Sequence, residues 1–383
     1  MTACSFCCFP CCRKSKPTMP IVDGIPAVNL GNPEPDETNT RPHETAHDAV
    51  GPAPSRFRLR IAAAWWRSLQ YVGMALHFQA PKRPPSPCFT RTIPATISKV
   101  KGEVTLQFYT PEGYTTAGTT SRKFPAVVNF HGGGFTIGNA TDDARFARFV
   151  LETCHAVFVS VDYRLSPENP FPVAVEDSAD ALLYLIRSGP ELHIDPAKLA
   201  VSGFSAGGNL AITAPLLLAD HVKSARASGT PIPDYRIRAV ATWYPVTDYT
   251  RPRALKRATS VRPDQTLPQT FTDLFDASYL YPPQLNLSNP YLSPSKATDE
   301  QLAEAIPETV IFYTCEWDML LEEGQEFAKR LEREPISREV RYKMVPGVPH
   351  AWDKSPNPNK PPELSEELYR ECCGYLREAF ERA

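Results

Sequence analysis

The chain has 383 residues, of which 42% are hydrophobic and 22% are charged, as is usual in globular proteins and unlike disordered, collagen-like or coiled-coil chains. The 41 Lys and Arg residues nearly balance 43 Asp and Glu residues, and the resulting net charge of −2 excludes broad electrostatic binding to nucleic acid. No uncharged apolar run reaches the roughly 18 residues of a membrane-spanning helix, so no such helix is expected.

The N-terminal segment concentrates half of the ten cysteines in its first 12 residues, directly before the basic residues Arg13, Lys14 and Lys16. Acyl chains on several thiols, together with a basic patch, can hold a protein at a membrane, so S-palmitoylation and peripheral membrane contact are one expectation. An unmodified terminus is the alternative. A metal site is less favoured because no second pair of ligands follows at a zinc-binding distance. The cysteines concerned are Cys4, Cys7, Cys8, Cys11 and Cys12.

The cysteines of a disulfide framework would be spread through the fold, whereas half of those here lie in the first 12 residues, so the body of the chain is predicted to be reduced. The first residues also lack the apolar core of a signal peptide. We therefore expect an intracellular, cytoplasmic protein that is not secreted, either free or held at a membrane by its acylated N-terminus.

Residues 1–55 are predicted to form a disordered Cys-rich and Pro-rich tether, because they show no helical or strand period. The next segment, 56–79, is predicted to form a helix from apolar residues at helical spacing. Its adjacent Trp65 and Trp66 would be costly to expose, so we expect the helix to dock on the folded body. If this docking has a function, the helix is expected to form a lid over a pocket. The region 56–95 is therefore assigned to an N-terminal cap. The residues at helical spacing are Leu59, Ala62, Trp66, Leu69 and Val72.

The segment 96–383 is predicted to be one α/β domain, because short β-branched runs alternate with amphipathic stretches in it. This pattern indicates a mostly parallel sheet with helices on both faces. The segment 249–297 interrupts the alternation and is predicted to form a cap insertion above the sheet. The predicted strands are 104–109, 126–130, 157–161, 199–203, 239–244, 310–314 and 340–345. The predicted helices are 144–154, 172–187, 207–219, 324–332 and 363–382.

The strongest chemical signal is the sequence Gly-Phe-Ser-Ala-Gly at 203–207, with a predicted strand before it and a predicted helix after it. A serine at such a sharp strand-to-helix turn is raised above the edge of the sheet and adopts a strained backbone conformation. The helix that follows directs its first N–H groups and its positive dipole end toward the same point. Ser205 is therefore predicted to be a nucleophile.

A second signal, His-Gly-Gly-Gly-Phe at 131–135, directly follows another predicted strand. Consecutive glycines are costly in conformational entropy, which suggests a close approach of the backbone to another group. Acyl transfer requires N–H donors that point at the oxyanion of the tetrahedral intermediate, and glycine can present such donors. The loop matches neither nucleotide-binding glycine pattern. Its residues are His131, Gly132, Gly133 and Gly134.

A nucleophilic serine needs a base and an acid that orients it. Of the eight histidines, His350 follows the last predicted strand, at the sheet edge where Ser205 should also emerge. Asp318 and Asp248 each follow a strand between the nucleophile and the base, and position alone leaves both open. Asp318 is preferred because its strand and the strand before His350 are consecutive. Asp248 would then fix a loop, and Glu316 is a weaker option.

Together these motifs resemble the hormone-sensitive lipase-like branch of the α/β-hydrolase fold family, whose members are serine esterases. The resemblance spans roughly residues 100–383 and includes the glycine loop, the segment 162–182, the serine motif and the surroundings of Asp318 and His350. It implies an α/β-hydrolase fold with a helical cap, in which Ser205, Asp318 and His350 form the catalytic triad.

The resemblance also implies roles for the residues around the triad. The N–H groups of Gly133, Gly134 and Ala206 would form the oxyanion hole, and His131 with Gly132 would shape the loop. The stretch from Asp162 to Arg164 and the pair Glu176 and Asp177 look like scaffold ion pairs. The family's cap, made of N-terminal helices and an insertion, matches 56–79 and 249–297.

Two positions depart from the family pattern. Phe204 stands where many members have Asp before the nucleophile, and Met319 stands where a Pro usually follows the acid. We expect a carboxylic ester hydrolase that acts on a small-molecule ester, without a metal or another cofactor. Amide or lactone hydrolysis by the same residues is the alternative, and a non-catalytic small-molecule receptor on this fold is a further one.

Overall fold

Short runs of β-branched and aromatic residues form an eight-stranded sheet in a computed structural model, which describes residues 54–114 and 122–382. Its strand order is β1-β2-β4-β3-β5-β6-β7-β8. Strand β2 runs antiparallel to β1 and β4, and β3 to β8 run parallel to one another. The predicted mostly parallel α/β sheet is thereby confirmed. The strands are β1 Phe89–Pro94, β2 Glu103–Tyr109, β3 Phe124–Phe130, β4 Val157–Asp162, β5 Ile194–Phe204, β6 Ile237–Trp243, β7 Thr309–Cys315 and β8 Glu339–Val345.

Helices cover both faces of this sheet because consecutive strand residues point to opposite sides. On β3, Val128 belongs to the core shared with α3, α4 and α8, whereas Val127 belongs to the core shared with α2 and α9. A π-helical turn, Val150–Cys154, extends α2. The helices are α1 Arg56–Gln79, α2 Ala144–Phe149, α3 Val173–Ser188, α4 Ala206–Ala227, α5 Arg253–Ala258, α6 Gln269–Tyr279, α7 Asp299–Ala305, α8 Leu321–Glu332 and α9 Ser365–Glu381.

The boundary assigned to the N-terminal cap is wrong at its end. Residues 56–95 include β1, which pairs with β2 and belongs to the sheet. The strand escaped prediction because it lies at the edge of the sheet, where only Ile93 is buried, and its sequence shows no apolar alternation. Strand β5 also begins at Ile194, five residues before the predicted start at 199.

Helix α1 packs against the insertion at 249–297, which contains α5 and α6. The Trp66 and Phe271 rings lie 4.4 Å apart between centroids. The Arg56 guanidinium donates to the carbonyl of Ser278 at 3.1 Å, just before the end of α6. The Arg67 guanidinium donates to the carbonyls of Thr136 at 2.8 Å and Ser166 at 2.7 Å. Arginine side chains thus join the helix to the insertion and to the α/β domain.

The predicted docking face of α1 is only partly right. Leu59 is buried and Trp66 is half-buried, but Leu69 and Val72 are 42% and 57% exposed. Trp65, expected to be covered, is 62% exposed. The helix is apolar on two sides, so helical spacing alone could not decide which side faces the protein.

The predicted tether lies outside the described residues except for Pro54 and Ser55, and the five N-terminal cysteines lie outside them entirely. The Ser55 hydroxyl accepts from the backbone N–H of Arg58 at 3.4 Å and caps α1. In residues 54–114 and 122–382 no helix is long and apolar enough to cross a lipid bilayer. The cysteines of these residues are free thiols: Cys88, Cys154, Cys315, Cys372 and Cys373.

A buried histidine near the C-terminal end of α1 is expected to make folding sensitive to acid. His77 lies 3.2 Å from the carbonyl of Ser355, and burial, with the nearby Lys354 and Arg145, lowers its pKa from 6.5 to about 4. Between pH 6.5 and about pH 4, the unfolded chain therefore binds a proton at His77, whereas the folded chain keeps His77 neutral. Its contribution is present above pH 6.5 and is lost as the pH falls toward 4.

Between pH 7 and pH 5, His77 is expected to lower the free energy of unfolding by about 2 kcal/mol. Urea denaturation at pH 7 and pH 5 gives the loss in the free energy of unfolding for wild type and for His77→Gln. The wild type should lose more, and the difference between the two losses is the contribution of His77. His155→Gln, at an exposed histidine, serves as the matched control. An equal loss of stability in His77→Gln and wild type would contradict the prediction.

Candidate active site

Ser205 lies in a strained turn between β5 and α4. Its φ is 55° and its ψ is −114°, a conformation that non-glycine residues rarely adopt. The turn passes so close to the end of β3 that a Cβ on Gly207 would lie 1.9 Å from the carbonyl oxygen of Phe130. Only glycine fits there. The backbone N–H of Ser205 donates to the carbonyl of Trp243 at 2.8 Å, which fixes the turn to β6.

His350 and Asp318 reach Ser205 from the loops after β8 and β7. His350 Nε2 lies 2.7 Å from Ser205 Oγ, and His350 Nδ1 lies 2.5 Å from Asp318 Oδ2. The N–H of Leu320 donates to the other carboxylate oxygen of Asp318 at 3.1 Å. Because β5, β7 and β8 are parallel, their carboxyl ends meet at one edge of the sheet. The structure thus brings the three side chains predicted from the sequence into one hydrogen-bonded chain.

The two other carboxylates considered as the acid, Asp248 and Glu316, have other partners. The Asp248 carboxylate is 3.0 Å from the Lys296 ammonium and accepts from the Thr250 hydroxyl at 2.6 Å. Glu316 accepts from the backbone N–H of Gly347 at 2.7 Å. Both carboxylates therefore stabilise loops, and Asp318 is the one in contact with His350.

His131 is fully buried at the start of the glycine loop. Its Nδ1 lies 2.7 Å from the carbonyl of Gly132, and its ring stacks on Tyr163 at 4.2 Å between centroids. Burial lowers its pKa. A neutral imidazole held in this way has the surroundings of a structural residue. Of the predicted scaffold pairs, Arg164 and Asp177 form an ion pair at 2.7 Å.

The glycine loop lies directly against the turn that carries Ser205. A Cβ added to Gly132 would lie 3.5 Å from the Ser205 Cβ. The φ angles of Gly133 and Gly134 are 107° and 59°, and the carbonyl of Gly133 accepts from the N–H groups of Thr136 and Ile137. The N–H groups of Gly133, Gly134 and Ala206 donate to no acceptor among the described residues. Three donors are therefore left for a ligand.

Adding a methyl group to this loop is expected to damage the site. In Gly134→Ala the Cβ would be 2.2 Å from the Phe275 ring, at a positive φ that alanine disfavours. We expect kcat/KM for an ester to fall about 100-fold, the size of a lost oxyanion donor. Gly229→Ala is the matched control, since Gly229 also has a positive φ but no atom within 4 Å of an added Cβ. Equal ester kinetics in the two variants would contradict the expectation.

A cavity of about 380 Å³ opens next to Ser205 and His350. Helices α1 and α6 form its outer wall, so both predicted cap segments contribute to it. Of the two adjacent tryptophans of α1, Trp66 lines the cavity, whereas Trp65 is 62% exposed. Tyr279, the last residue of α6, is buried against Phe135. The apolar lining residues are Trp66, Leu69, Met74, Ile137, Phe271 and Phe275.

Sequence reasoning did not identify the buried ion cluster next to Phe204, the residue before Ser205. The Lys354 ammonium lies 3.6 Å from the centre of the Phe204 ring, 2.8 Å from Asp353 and 3.0 Å from Asp143. Burial would lower the pKa of Lys354, but Asp353, Tyr369 and Asp143 together outweigh burial and raise the pKa above its usual range. Phe204, which departs from the family pattern, thus provides a ring for a buried cation. The adjacent Asp353 and Lys354 gave no spacing signal that could reveal this.

The same cluster supports the loop that carries His350. The hydroxyls of Tyr244 and Tyr369 both donate to Asp353. The Tyr244 ring also contacts the His350 imidazole edge-on, at 4.8 Å between centroids. Tyr244 therefore contacts the loop after β8 at two points, with its hydroxyl at Asp353 and with its ring at His350. No group of three or more His, Cys, Asp or Glu side chains is arranged to hold a metal ion in the parts of the chain that the structure describes.

Comparison with known proteins gives consistent results. A family model described as alpha/beta hydrolase fold matches residues 127–354. A protein of the AB hydrolase superfamily from Schizosaccharomyces pombe is 31% identical over 260 residues, which cover 68% of this chain and 71% of that protein. The carboxylic ester hydrolase LipN of Mycobacterium tuberculosis is 32% identical over 63% of this chain and 59% of its own length.

Among solved structures, an esterase of Pyrobaculum calidifontis superimposes with a TM-score of 0.65 at 25% sequence identity. The superposition covers 87% of this chain and 96% of that chain. The similarity in fold therefore extends over nearly the whole of the other structure.

Proposed function

This chain belongs to the α/β-hydrolase fold family, in its hormone-sensitive lipase-like branch, and on that basis we propose that it is a serine esterase that cleaves carboxylic esters through Ser205, His350 and Asp318. The observation that carries the proposal is the hydrogen-bonded chain from Ser205 Oγ through His350 to Asp318, at the wall of an apolar cavity. A complete set of contacts of this kind favours hydrolysis over a non-catalytic receptor.

In the first half of the reaction, His350 Nε2 takes the proton of Ser205 as Oγ attacks the ester carbonyl carbon. The Asp318 carboxylate accepts a hydrogen bond from the Nδ1–H of His350, which fixes the tautomer and stabilises the imidazolium. The carbonyl oxygen becomes an oxyanion and receives hydrogen bonds from the free N–H groups of Gly133, Gly134 and Ala206. The carbon–oxygen bond to the alcohol then breaks, and His350 returns its proton to the departing alkoxide.

The second half releases the acid. Water replaces the alcohol, His350 removes one of its protons, and the resulting hydroxide adds to the acyl-enzyme carbonyl. The same three donors stabilise the second oxyanion. When the bond to Ser205 Oγ breaks, His350 returns the proton to Oγ, and the free enzyme and a carboxylic acid are formed.

The cavity restricts the substrate class. Its outer wall consists of aromatic and aliphatic side chains, and the Lys354 ammonium, which also lines it, is paired with Asp143 at 3.0 Å and with Asp353 at 2.8 Å. Uncharged esters with apolar acyl or alcohol groups are therefore the substrates that it fits best. Amides and lactones remain chemically accessible to the same residues. Esters are favoured because the named relatives include LipN, a carboxylic ester hydrolase, and an esterase of known structure.

A series of p-nitrophenyl esters of increasing acyl length, with the corresponding p-nitroanilides, tests this proposal. We expect kcat/KM to rise about fourfold per added methylene until the cavity is filled, since each buried methylene contributes about 0.8 kcal/mol. The anilides should be much poorer substrates. Faster cleavage of the anilides, or no ester cleavage by the folded chain, would overturn the proposal.

A further inference from the structure

The outward side of α1 carries a stripe of exposed apolar side chains. At about 100° per residue, six side chains fall within an arc of roughly 120° along the whole helix. Their exposed fractions range from 39% for Leu76 to 71% for Phe57, so a substantial part of each side chain contacts water. The stripe is formed by Phe57, Ile61, Trp65, Leu69, Val72 and Leu76.

An exposed apolar stripe of this length is unusual in a helix whose opposite side is already packed. The inward side of α1 buries Leu59, Ala63 and Met74 and holds Trp66 against Phe271. The apolar outward side is therefore not needed for folding. Contiguous exposed apolar surface of this kind marks a surface that binds a partner or a membrane.

The charges around the stripe indicate which partner it fits. Helix α1 contains no Asp or Glu, whereas Arg58 and Arg60 are exposed beside Phe57, and Arg83 is exposed shortly after the helix ends. Tryptophan and aliphatic side chains between arginines are typical of helices that lie in the interface of a bilayer with anionic lipids. A symmetric contact between two copies would instead place these like charges against one another without a nearby acid on the helix.

The stripe also adjoins the cavity. Leu69 is 42% exposed on the outer side and lines the cavity on the inner side, and Trp66, Gly73 and Met74 follow on the same wall. A bilayer against the stripe would therefore lie close to the cavity that holds Ser205.

We infer that the outward face of α1 docks on the surface of an anionic lipid bilayer. The inference rests on the stripe and its flanking arginines and is independent of the chemistry proposed for Ser205. It is also distinct from the predicted acylation of the N-terminal cysteines, which would add to it.

The full chain, shown by its intact mass to carry no acyl group, is mixed with vesicles of phosphatidylcholine containing about 30% phosphatidylserine. Sedimentation of the vesicles measures the bound fraction. The test variant is Phe57→Gln/Ile61→Gln/Trp65→Gln, because glutamine preserves helix propensity and none of the three side chains lines the cavity. The matched control is Val100→Gln, which removes an exposed apolar side chain from the loop between β1 and β2.

We expect the wild type and Val100→Gln to bind alike and the triple variant to bind about tenfold more weakly. Hydrolysis of a soluble short-chain ester should be the same in all three proteins. Arg58→Glu/Arg60→Glu should weaken binding to the anionic vesicles more than to pure phosphatidylcholine.

Three results would overturn the inference. The wild-type chain could fail to bind the vesicles. The triple variant could bind as tightly as wild type, which would assign binding to the basic N-terminal segment. Finally, the triple substitution could dissociate a dimer seen by analytical ultracentrifugation while leaving vesicle binding unchanged, which would make a second copy of the chain the partner.

Discussion

Ser205→Ala is expected to lower kcat for a p-nitrophenyl ester by about five orders of magnitude, because the acyl-enzyme can no longer form. His350→Ala should cost a similar factor, since the hydroxyl 2.7 Å from its Nε2 would lose its base. The double variant should be no slower than either single variant, because the two residues act as one unit. Stopped-time product analysis at high enzyme concentration measures the residual rates.

The matched control is Ser202→Ala. Ser202 lies on the same strand, is fully buried and donates to Asn129 at 2.8 Å. Its loss can lower stability but leaves the nucleophile in place, so kcat should stay within about threefold of wild type. An active Ser205→Ala protein with a normal thermal unfolding curve would contradict the assignment of the nucleophile.

Asp318→Asn is expected to lower kcat by about 10⁴-fold with little change in KM. The amide of asparagine can donate to Nδ1, and it then favours the tautomer whose Nε2 carries the proton and cannot accept one from Ser205. The imidazolium also loses the negative charge now 2.5 Å from its Nδ1. Steady-state kinetics at neutral pH measure the effect.

Asp248→Asn distinguishes the two acids that position in the sequence left open. Asp248 is paired with Lys296, so its replacement should lower stability modestly and leave kcat near the wild-type value. The reverse pattern, with an inactive Asp248→Asn and an active Asp318→Asn, would show that the hydrogen-bonded chain is not the catalytic one.

The residues of the site could be predicted because their signals are local. Gly203 and Gly207 flank Ser205 at a strand-to-helix turn that leaves no space for larger residues, so this pattern of residues predicts the turn. The order of the strands then limits the base and the acid to loops at one edge of the sheet. These are the segments in which His350 and Asp318 lie.

The remaining features depend on contacts between distant residues, which no local pattern shows. Strand β1 is held by pairing with β2, and its own sequence shows no apolar alternation. The face of α1 that packs inward is chosen by α6, since both sides of the helix are apolar. The contact of Lys354 with Phe204 joins residues 150 positions apart. Tertiary packing therefore decides these features.

The central claim, an activated Ser205, is tested most directly by intact mass spectrometry after exposure to a fluorophosphonate. This reagent labels a serine whose hydroxyl is activated by a neighbouring base, whatever the natural substrate is. The account predicts one adduct on the wild-type chain and none on Ser205→Ala or His350→Ala. A folded wild-type chain that remains unlabelled, or an adduct that persists in Ser205→Ala, would contradict it.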